Sequence, residues 1–301
     1  MTLWEDRPTI GTAHQEVRVS KQPSPTARRR RLSAELRQLR HTSGMTIEGA
    51  AEQLEWSRSR LAHMEGNKWT RPDVGNIRQL LDLYKVEDEE NREAILTLAR
   101  QSRQRGWWQK YSDVFRDKTY VGLEAEASII STYQFSVIPG LLQTPEYAAA
   151  SARASLARPA HEVQRIVDAR MARQEILTND TPPTVWAVLD EAVLRRIPQE
   201  VAHEQLQRLI DTASDDDNHV TIQALPFSAK LHPGISGPFV LLEFPAEVDT
   251  PVVYLETRTD GLYLEEDHET AEYTHVFDHL RAAARSQKET IELMQELQNN
   301  Q

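Results

Sequence analysis

Cysteine is absent from the 301 residues, which excludes a disulfide framework, a thiolate metal site and a cysteine nucleophile. No stretch of about 18 consecutive apolar residues occurs, so nothing reads as a membrane span. The N-terminal region lacks the apolar core of a signal segment, and a cytoplasmic protein is expected. Also missing are a phosphate-cradling glycine loop and a G-x-S-x-G turn. What chemistry remains is thin. His275 and His279 stand at i, i+4 with Glu272 one turn before His275, but Val276 occupies the place of a metallohydrolase's general-base glutamate. Asp190-Glu191 at a strand end can serve acid–base work or simply cap the next helix, and Asp215-Asp216-Asp217 reads as a loop. No catalysis, no bound metal and no cofactor are expected.

Acidic residues are plentiful but unevenly placed. Residues 1–105 hold 19 Lys+Arg against 15 Asp+Glu, whereas residues 106–301 hold 16 against 31. Within Ala27–Arg78 the balance is 11 against 6. A basic module attached to an acidic one is the pattern of a nucleic-acid-binding head on a body that DNA repels.

The head is organised around Thr46 to Gly66, TIEGAAEQLEWSRSRLAHMEG. Thr46 is a helix N-cap, and Ile47, Ala50, Ala51 and Leu54 follow at the spacing of one buried face. Ser57 caps a second helix whose apolar positions are Leu61 and Met64, and Gly66 ends it. So brief a connection forces the helices to cross steeply, and the two alanines let them approach. The exposed side of the second helix then carries Arg58, Ser59, Arg60 and His63. The pattern is a helix-turn-helix with a donor-rich recognition helix. Leu32, Leu36 and Leu39 mark a helix before it; Val74, Ile77, Leu80, Leu81 and Tyr84 mark one after, and Ile95, Leu96 and Leu98 a fifth, from about Asp88. Residues 1–27, with three prolines and no sustained period, read as a disordered arm. The run Arg28, Arg29, Arg30 and Arg31 has two readings: a solubilising helix start, or contacts to phosphate or the minor groove.

Residues 32–84 resemble the Xre/Cro-type helix-turn-helix domain of phage-repressor-like regulators. The resemblance rests on Leu39-Arg40, Gly44-Met45-Thr46, Ala50-Ala51, Leu54, Ser57, Leu61 and Met64-Glu65-Gly66. It implies a structural salt bridge between Arg40 and Glu65 that locks the first helix to the recognition helix. It also implies phosphate contact by Ser57 and major-groove contact by Arg58, Ser59 and His63, with Arg60 on the flanking backbone. Thr46 and Lys68 complete the expected DNA-binding set. Two positions depart from the family. Glu55 stands where glycine is frequent, so the turn must either take φ > 0 at about 1 kcal/mol or be reshaped. Ile47 stands where glutamine is frequent, which removes one DNA contact.

Gly106 marks a domain boundary, so the expected units are an arm at 1–27, the DNA-binding domain at 28–105 and an acidic domain at 106–301. Trp107 and Trp108 beside it either stack on bases or anchor an interdomain interface. Beyond them, 124–134, 144–156 and about 159–177 read as helices, with Thr144-Pro145-Glu146 a well-formed start. The period then changes to strands at 184–189, 219–225, 239–244, 252–256 and 261–265, with a helix at 199–213 between the first two. Two helices close the chain; Ser286 and Glu289 form a capping box for the last. The fold class is therefore multidomain: an all-α five-helix helix-turn-helix domain followed by an α/β or α+β mixed-sheet domain.

This second part resembles the DUF5753-like domain of unknown function that follows an Xre-type head in many actinomycete regulators. The motifs STYQFSVIPGLLQTPEYAAA, DARMARQEIL, TVWAVLDEAVLRR, VTIQALPFSAKLHPGISGPFVLLEF, VVYLET and HVFDHLRAAARS carry it, over about residues 107–290. The one departure is Lys230, where glycine is expected. The family is described as antitoxin-like or developmental and is often encoded beside a small acidic partner protein. The resemblance supplies no catalytic residue. Pro139, Gly140, Leu141, Leu142 and Gln143, in its most specific motif, join Trp107 and Trp108 as candidates for ligand or partner contact. The expected protein is a cytoplasmic DNA-binding regulator, nucleoid-associated when bound. Its expected partners are double-stranded operator DNA, a second copy of itself, and either a small partner protein or a small-molecule effector. Dimerisation through the final helices is expected from a stripe of Ile291, Met294 and Leu297.

Overall fold

The computed structural model describes residues 25–69, 71–103, 106–115, 117–154, 159–215, 219–245, 250–257 and 260–300. Five helices come first: α1 (Pro25–Thr42), α2 (Ile47–Gln53), α3 (Arg58–Glu65), α4 (Val74–Leu83) and α5 (Glu89–Gln101). Their core is Leu32, Leu36, Leu61, Ile77, Leu80 and Leu81, all fully buried. Side-chain caps start four of them, with Thr46, Ser57, Asp73 and Asp88 each accepting a backbone N–H of the first turn. α1 already begins at Pro25, inside the expected arm; the rest of that arm, residues 1–24, lies outside the described residues.

Next come a 3₁₀ turn (Trp107–Tyr111), α6 (Lys118–Glu124) and a sheet. Its strands are β1 (Ile129–Gln134), β2 (Thr184–Asp190), β3 (Val220–Leu225), β4 (Phe239–Glu243), β5 (Val252–Glu256) and β6 (Gly261–Leu264), in the order β3-β2-β1-β4-β5-β6. β1 pairs in parallel with β2, and β2 with β3; the other neighbours are antiparallel. Parallel neighbours need crossovers. These are α7 (Pro145–Ala154) and α8 (Ala160–Gln174) from β1 to β2, then α9 (Glu191–Arg195) and α10 (Gln199–Ser214) from β2 to β3. α11 (Asp267–Ala283) and α12 (Gln287–Asn299) close the chain.

Alternation along the strands assigns the two faces. Ile130, Val185, Ile222, Leu242 and Val252 share one core with α6, α7, α9, α10 and α12. Tyr133, Val188, Phe239 and Val253 share the other with Phe277 and Leu280 of α11. The mixed sheet between helical layers is the expected architecture.

Two readings are corrected. The expected helix at 124–134 ends at Glu124, and β1 occupies the centre of the sheet. A strand flanked by partners on both edges and covered on both faces buries consecutive residues, here Ile130 to Tyr133, and so loses the alternation by which strands are recognised. The stripe Ile291, Met294 and Leu297 is not a dimer surface. α12 lays it against α10 and β3, with Met294 fully buried and the other two packed on the core. The capping box that starts α12 has both halves: Ser286 Oγ accepts from Glu289 N–H at 3.3 Å, and the Ser286 N–H donates to Glu289 at 2.9 Å.

Candidate functional site

The recognition helix α3 is presented by a short turn whose backbone follows from its hydrogen bonds. The Trp56 N–H donates to the Ala51 carbonyl at 2.8 Å, and the Glu55 N–H to that of Glu52 at 3.1 Å. This closure places the penultimate residue in the left-handed region. Glu55 takes it, with φ 55°, so of the two outcomes open for this position the strained one holds. The same closure ends α1 at Gly44 (φ 70°) and α3 at Asn67 (φ 53°). Gly66 is therefore not the left-handed terminator of α3: its φ is −87°, and the asparagine, whose short side chain tolerates the conformation, carries the turn.

The helix is held from behind by a buried fork. Arg40 Nε lies 2.8 Å from Glu65 Oε1 and Nη2 lies 2.9 Å from Oε2, with both side chains enclosed. Arg40 also donates to the Met45 carbonyl, and Arg37 to that of Glu65, each at 2.8 Å. The hydrogen bond to Glu65 raises the guanidinium of Arg40 above its ordinary pKa despite burial. The expected brace between the first helix and the recognition helix is present.

On the outer side, Ser57, Arg58, Ser59, Arg60, His63 and Lys68 are all exposed. Thr46 and Ser57 use their hydroxyl oxygens as acceptors for Gly49 and Arg60 N–H, which leaves each O–H able to donate outward. Ser57 Oγ lies 3.2 Å from Ser59 Oγ. Arg58 forms an ion pair with Glu48 of α2, and Arg60 stacks on Trp56 at 4.0 Å from the ring centre. Ser57, Ser59, Arg60, His63 and Lys68 line one groove with Arg71 and Asn76. Those last two were not anticipated; the only sequence signal was a cation two places before the Asp73 cap.

The arginine run lies elsewhere. Arg28 and Arg30 are buried where α1 meets the sheet domain. Arg30 donates to Glu265 at 3.2 Å and to the backbone and hydroxyl of Thr250 at 2.7 Å, with its guanidinium over Phe244. Burial lowers the pKa of Arg28, against the pull of Glu126. Arg29 donates to Thr26 at 3.3 Å, and Arg31 is half-buried. In this arrangement Arg28 and Arg30 dock one domain on the other, which corrects both readings offered for them. Trp108 belongs to the same seam. It is buried against Gly122 of α6, beside Thr26 of α1, and has no open face for a base; Trp107 packs edge-on against Tyr111 and Phe115.

A half-open cleft of about 770 Å³ lies between the sheet and helices α6 and α8. Ile130, Thr132 and Gln134 of β1 with Val240, Tyr254 and Glu256 share the sheet face that forms its floor. Pro139 to Gln143 form one wall, where Leu141, Leu142 and Gln143 are buried. Gln143 donates to the Ile138 carbonyl and accepts from Arg170, both at 2.8 Å. Gln174 donates to the carbonyls of Gly140 and Gln143. From α6, Tyr120 stacks on Tyr254 with ring centres 4.2 Å apart, and Glu124 accepts from Tyr120 Oη at 2.8 Å and Arg173 Nη2 at 2.6 Å. Burial opposes the charge on Arg173, but Glu124 outweighs it and holds the guanidinium above its ordinary value. Arg170 is shifted the other way, by burial first and by Arg173 second.

Residues 31–95 match the family described as helix-turn-helix domain, and residues 117–296 match the domain of unknown function DUF5753. The second match spans more than half of the chain. The chain belongs to the DUF5753 family. No curated protein matches, and no solved structure does.

The DUF5753 domain thus carries a helix-turn-helix DNA-binding head, and no helix among the described residues is long and apolar enough to cross a membrane. Within the domain, His275 and His279 form an exposed edge-on pair, and no group of three potential metal ligands occurs among the described residues. Asp190 caps α9 by accepting the Ala192 N–H at 2.8 Å, while Glu191 is held by Arg195 at 2.7 Å. Lys230, at the position where the resemblance calls for glycine, has φ 59° and ψ −139°, a conformation essentially reserved for glycine. Asp216 and Asp217 lie outside the described residues.

Proposed function

We propose that the protein is a sequence-specific transcription regulator that binds operator DNA as a homodimer and is modulated through its DUF5753 domain. One observation carries the reading. α3 is capped at its start by Ser57 and clamped from behind by Arg40 and Arg37, so it stands as a rigid ridge bearing Arg58, Ser59 and His63 outward. Thr46, Ser57, Arg60 and Lys68 flank that ridge as phosphate contacts. Each good base contact contributes about 1–3 kcal/mol. A single ridge falls short of operator-level discrimination, which is why a two-fold dimer reading half-sites about one helical turn apart is part of the proposal.

The test is to select genomic fragments bound by the full chain, sequence them, and measure affinity for the consensus. Arg58→Ala and His63→Ala should each weaken consensus binding by about ten- to hundredfold and relax the preference for it. Lys68→Ala should weaken all sequences alike and reduce the salt dependence. Unchanged consensus affinity in both ridge variants would show that another face reads the DNA.

A second reading, an antitoxin-like module that binds a small partner protein with DNA binding secondary, is favoured by one feature. Phe227, Leu231 and Ile235 are 61%, 87% and 66% exposed along one connection between β3 and β4. A stoichiometric small protein that co-purifies with the full chain, and is lost on Leu231→Asp, supports this reading.

A further inference from the structure

Among the described residues the cleft holds a cation, Arg170, that forms no ion pair. Arg170 gives its described hydrogen bonds to neutral acceptors, the Gln143 side chain at 2.8 Å and the Ala148 carbonyl at 3.3 Å. Among the described residues no carboxylate lies within 4.0 Å of it, whereas neighbouring Arg173 forks onto Glu124 and also donates to Tyr120 Oη. A guanidinium spends two donors on those acceptors and has three more in a planar fork suited to a carboxylate or phosphate. Arg170 lines the cavity and is largely removed from bulk water, where a charge-assisted bond is stronger than at a surface. The same cavity is lined by apolar side chains, Phe115, Val137 and Ile166 among them, while Tyr254 is buried in its stack on Tyr120. The rim decides between anions. Glu256 and Asp260 are exposed at the mouth, and Glu256 acts on Arg170 through space, so a doubly charged phosphate is disfavoured relative to a monoanion.

The cleft is also wired to the DNA-binding head. α6 turns Tyr120 and Glu124 toward the cavity at i, i+4, and Gly122 between them faces the opposite way. A Cβ at Gly122 would stand 2.4 Å from Thr26 Oγ1, so α6 and the first turn of α1 touch at closest approach there. α1 then runs unbroken to Arg37 and Arg40, which grip α3.

We propose that this cleft is an effector site for a small monocarboxylate with an apolar or aromatic body, and that its occupancy alters DNA affinity through the contact of α6 with α1. The ligand carboxylate docks on the Arg170 fork, and its body lies against the apolar lining that includes Phe115 and Val137. The proposal rests on the regulator reading above and names the site of its modulation.

The experiment uses the full chain with phenylacetate, benzoate and octanoate as probes, and phenylacetamide and phenyl phosphate as controls. At saturating millimolar concentration a carboxylate should raise the melting temperature by several degrees and change consensus-DNA affinity by about fivefold or more. The amide should do neither, and the phosphate should act more weakly. Arg170→Gln and the gentler Arg170→Lys should both lose the carboxylate-induced shift while their ligand-free melting curves stay cooperative. Gly122→Ala should keep the thermal shift and lose the effect on DNA. Absence of a shift with all three carboxylates, or a shift that survives in both Arg170 variants, overturns the proposal. Either result leaves the regulator reading standing if Arg58→Ala still weakens consensus binding and relaxes the preference; a carboxylate shift in a chain that selects no DNA sequence would overturn that reading instead.

Discussion

Both halves of the protein bury an arginine–glutamate pair, and the two are used differently. Arg40 and Glu65 are enclosed on every side, with side-chain exposures of 7% and 3%, and they join α1 to the recognition helix. Arg173 and Glu124 join α8 to α6 with exposures of 18% and 2%, but on the wall of a cleft and beside Arg170, which has no carboxylate within 4.0 Å among the described residues. A buried pair contributes little net stability compared with apolar residues of the same shape, because desolvation offsets most of the attraction. What it does supply is geometry. In the helical half that geometry is complete and internal. In the sheet half Arg170, which forms no ion pair among the described residues, faces a cavity.

The strongest way to break the comparison is to remove one partner from each pair. Glu65→Ala should cost about 3–5 kcal/mol, leaving Arg40 buried and uncompensated, and should remove DNA binding together with the first thermal transition. Glu124→Ala should cost the sheet half a similar amount, less whatever water reaches Arg173 from the cleft. Calorimetry separates the halves; equal loss of the helical transition in both variants would mean that they unfold as one unit. The double variant Arg40→Leu with Glu65→Leu should recover most of the stability but not full DNA affinity, since packing replaces the pair while the hydrogen bonds that orient α3 are gone.

Smaller effects come from strained backbone, of which each half has an instance. Glu55→Gly in the turn and Lys230→Gly after β3 should each stabilise by about 1 kcal/mol, because glycine adopts those conformations without a Cβ penalty. Chemical denaturation of each variant checks this, and a loss of stability at either site would show that side-chain contacts there outweigh the strain. Smaller still is the release of Arg58 from Glu48. Glu48→Gln should raise DNA affinity by about two- to fivefold, the scale of an exposed ion pair. Arg58 holds the Glu48 carboxyl below its ordinary value, so the pair persists above the unfolded carboxylate range and is lost as pH falls through the lowered value. The advantage of the variant should therefore shrink in acid.

Much of the helical half was legible because its signals are local. A hydroxyl or carboxylate cap and an apolar period specify a helix within one or two turns, and Thr46, Ser57, Leu61 and Met64 all stand as read. Arg40 and Glu65 were paired by resemblance, not by spacing, since nothing within 25 residues of chain announces a buried fork. The sheet half was legible at its edges and opaque at its centre, where β1 buries consecutive residues. The motif from Ile138 to Thr144 could be singled out, but not as the wall of a cavity: Thr144 is held by Gln205 on α10, and Gly140 by Gln174 on α8.

The arginines show most plainly where the division falls. Sequence alone determined the helices of the first half, the caps at their starts and the charge split between the two halves, and it narrowed the turn at Glu55 to two outcomes, because each depends on neighbours a few residues away. It could not say which guanidiniums meet water. Arg30 and Arg58 sit in similarly polar, arginine-bearing surroundings in the chain, yet one is buried against Glu265 and the other is exposed on the recognition helix. Only tertiary structure decided that, because the desolvation of a charge is set by partners brought from far along the chain. The same holds for Arg170, whose lack of an ion-pair partner among the described residues becomes visible only once α8 lies against the sheet.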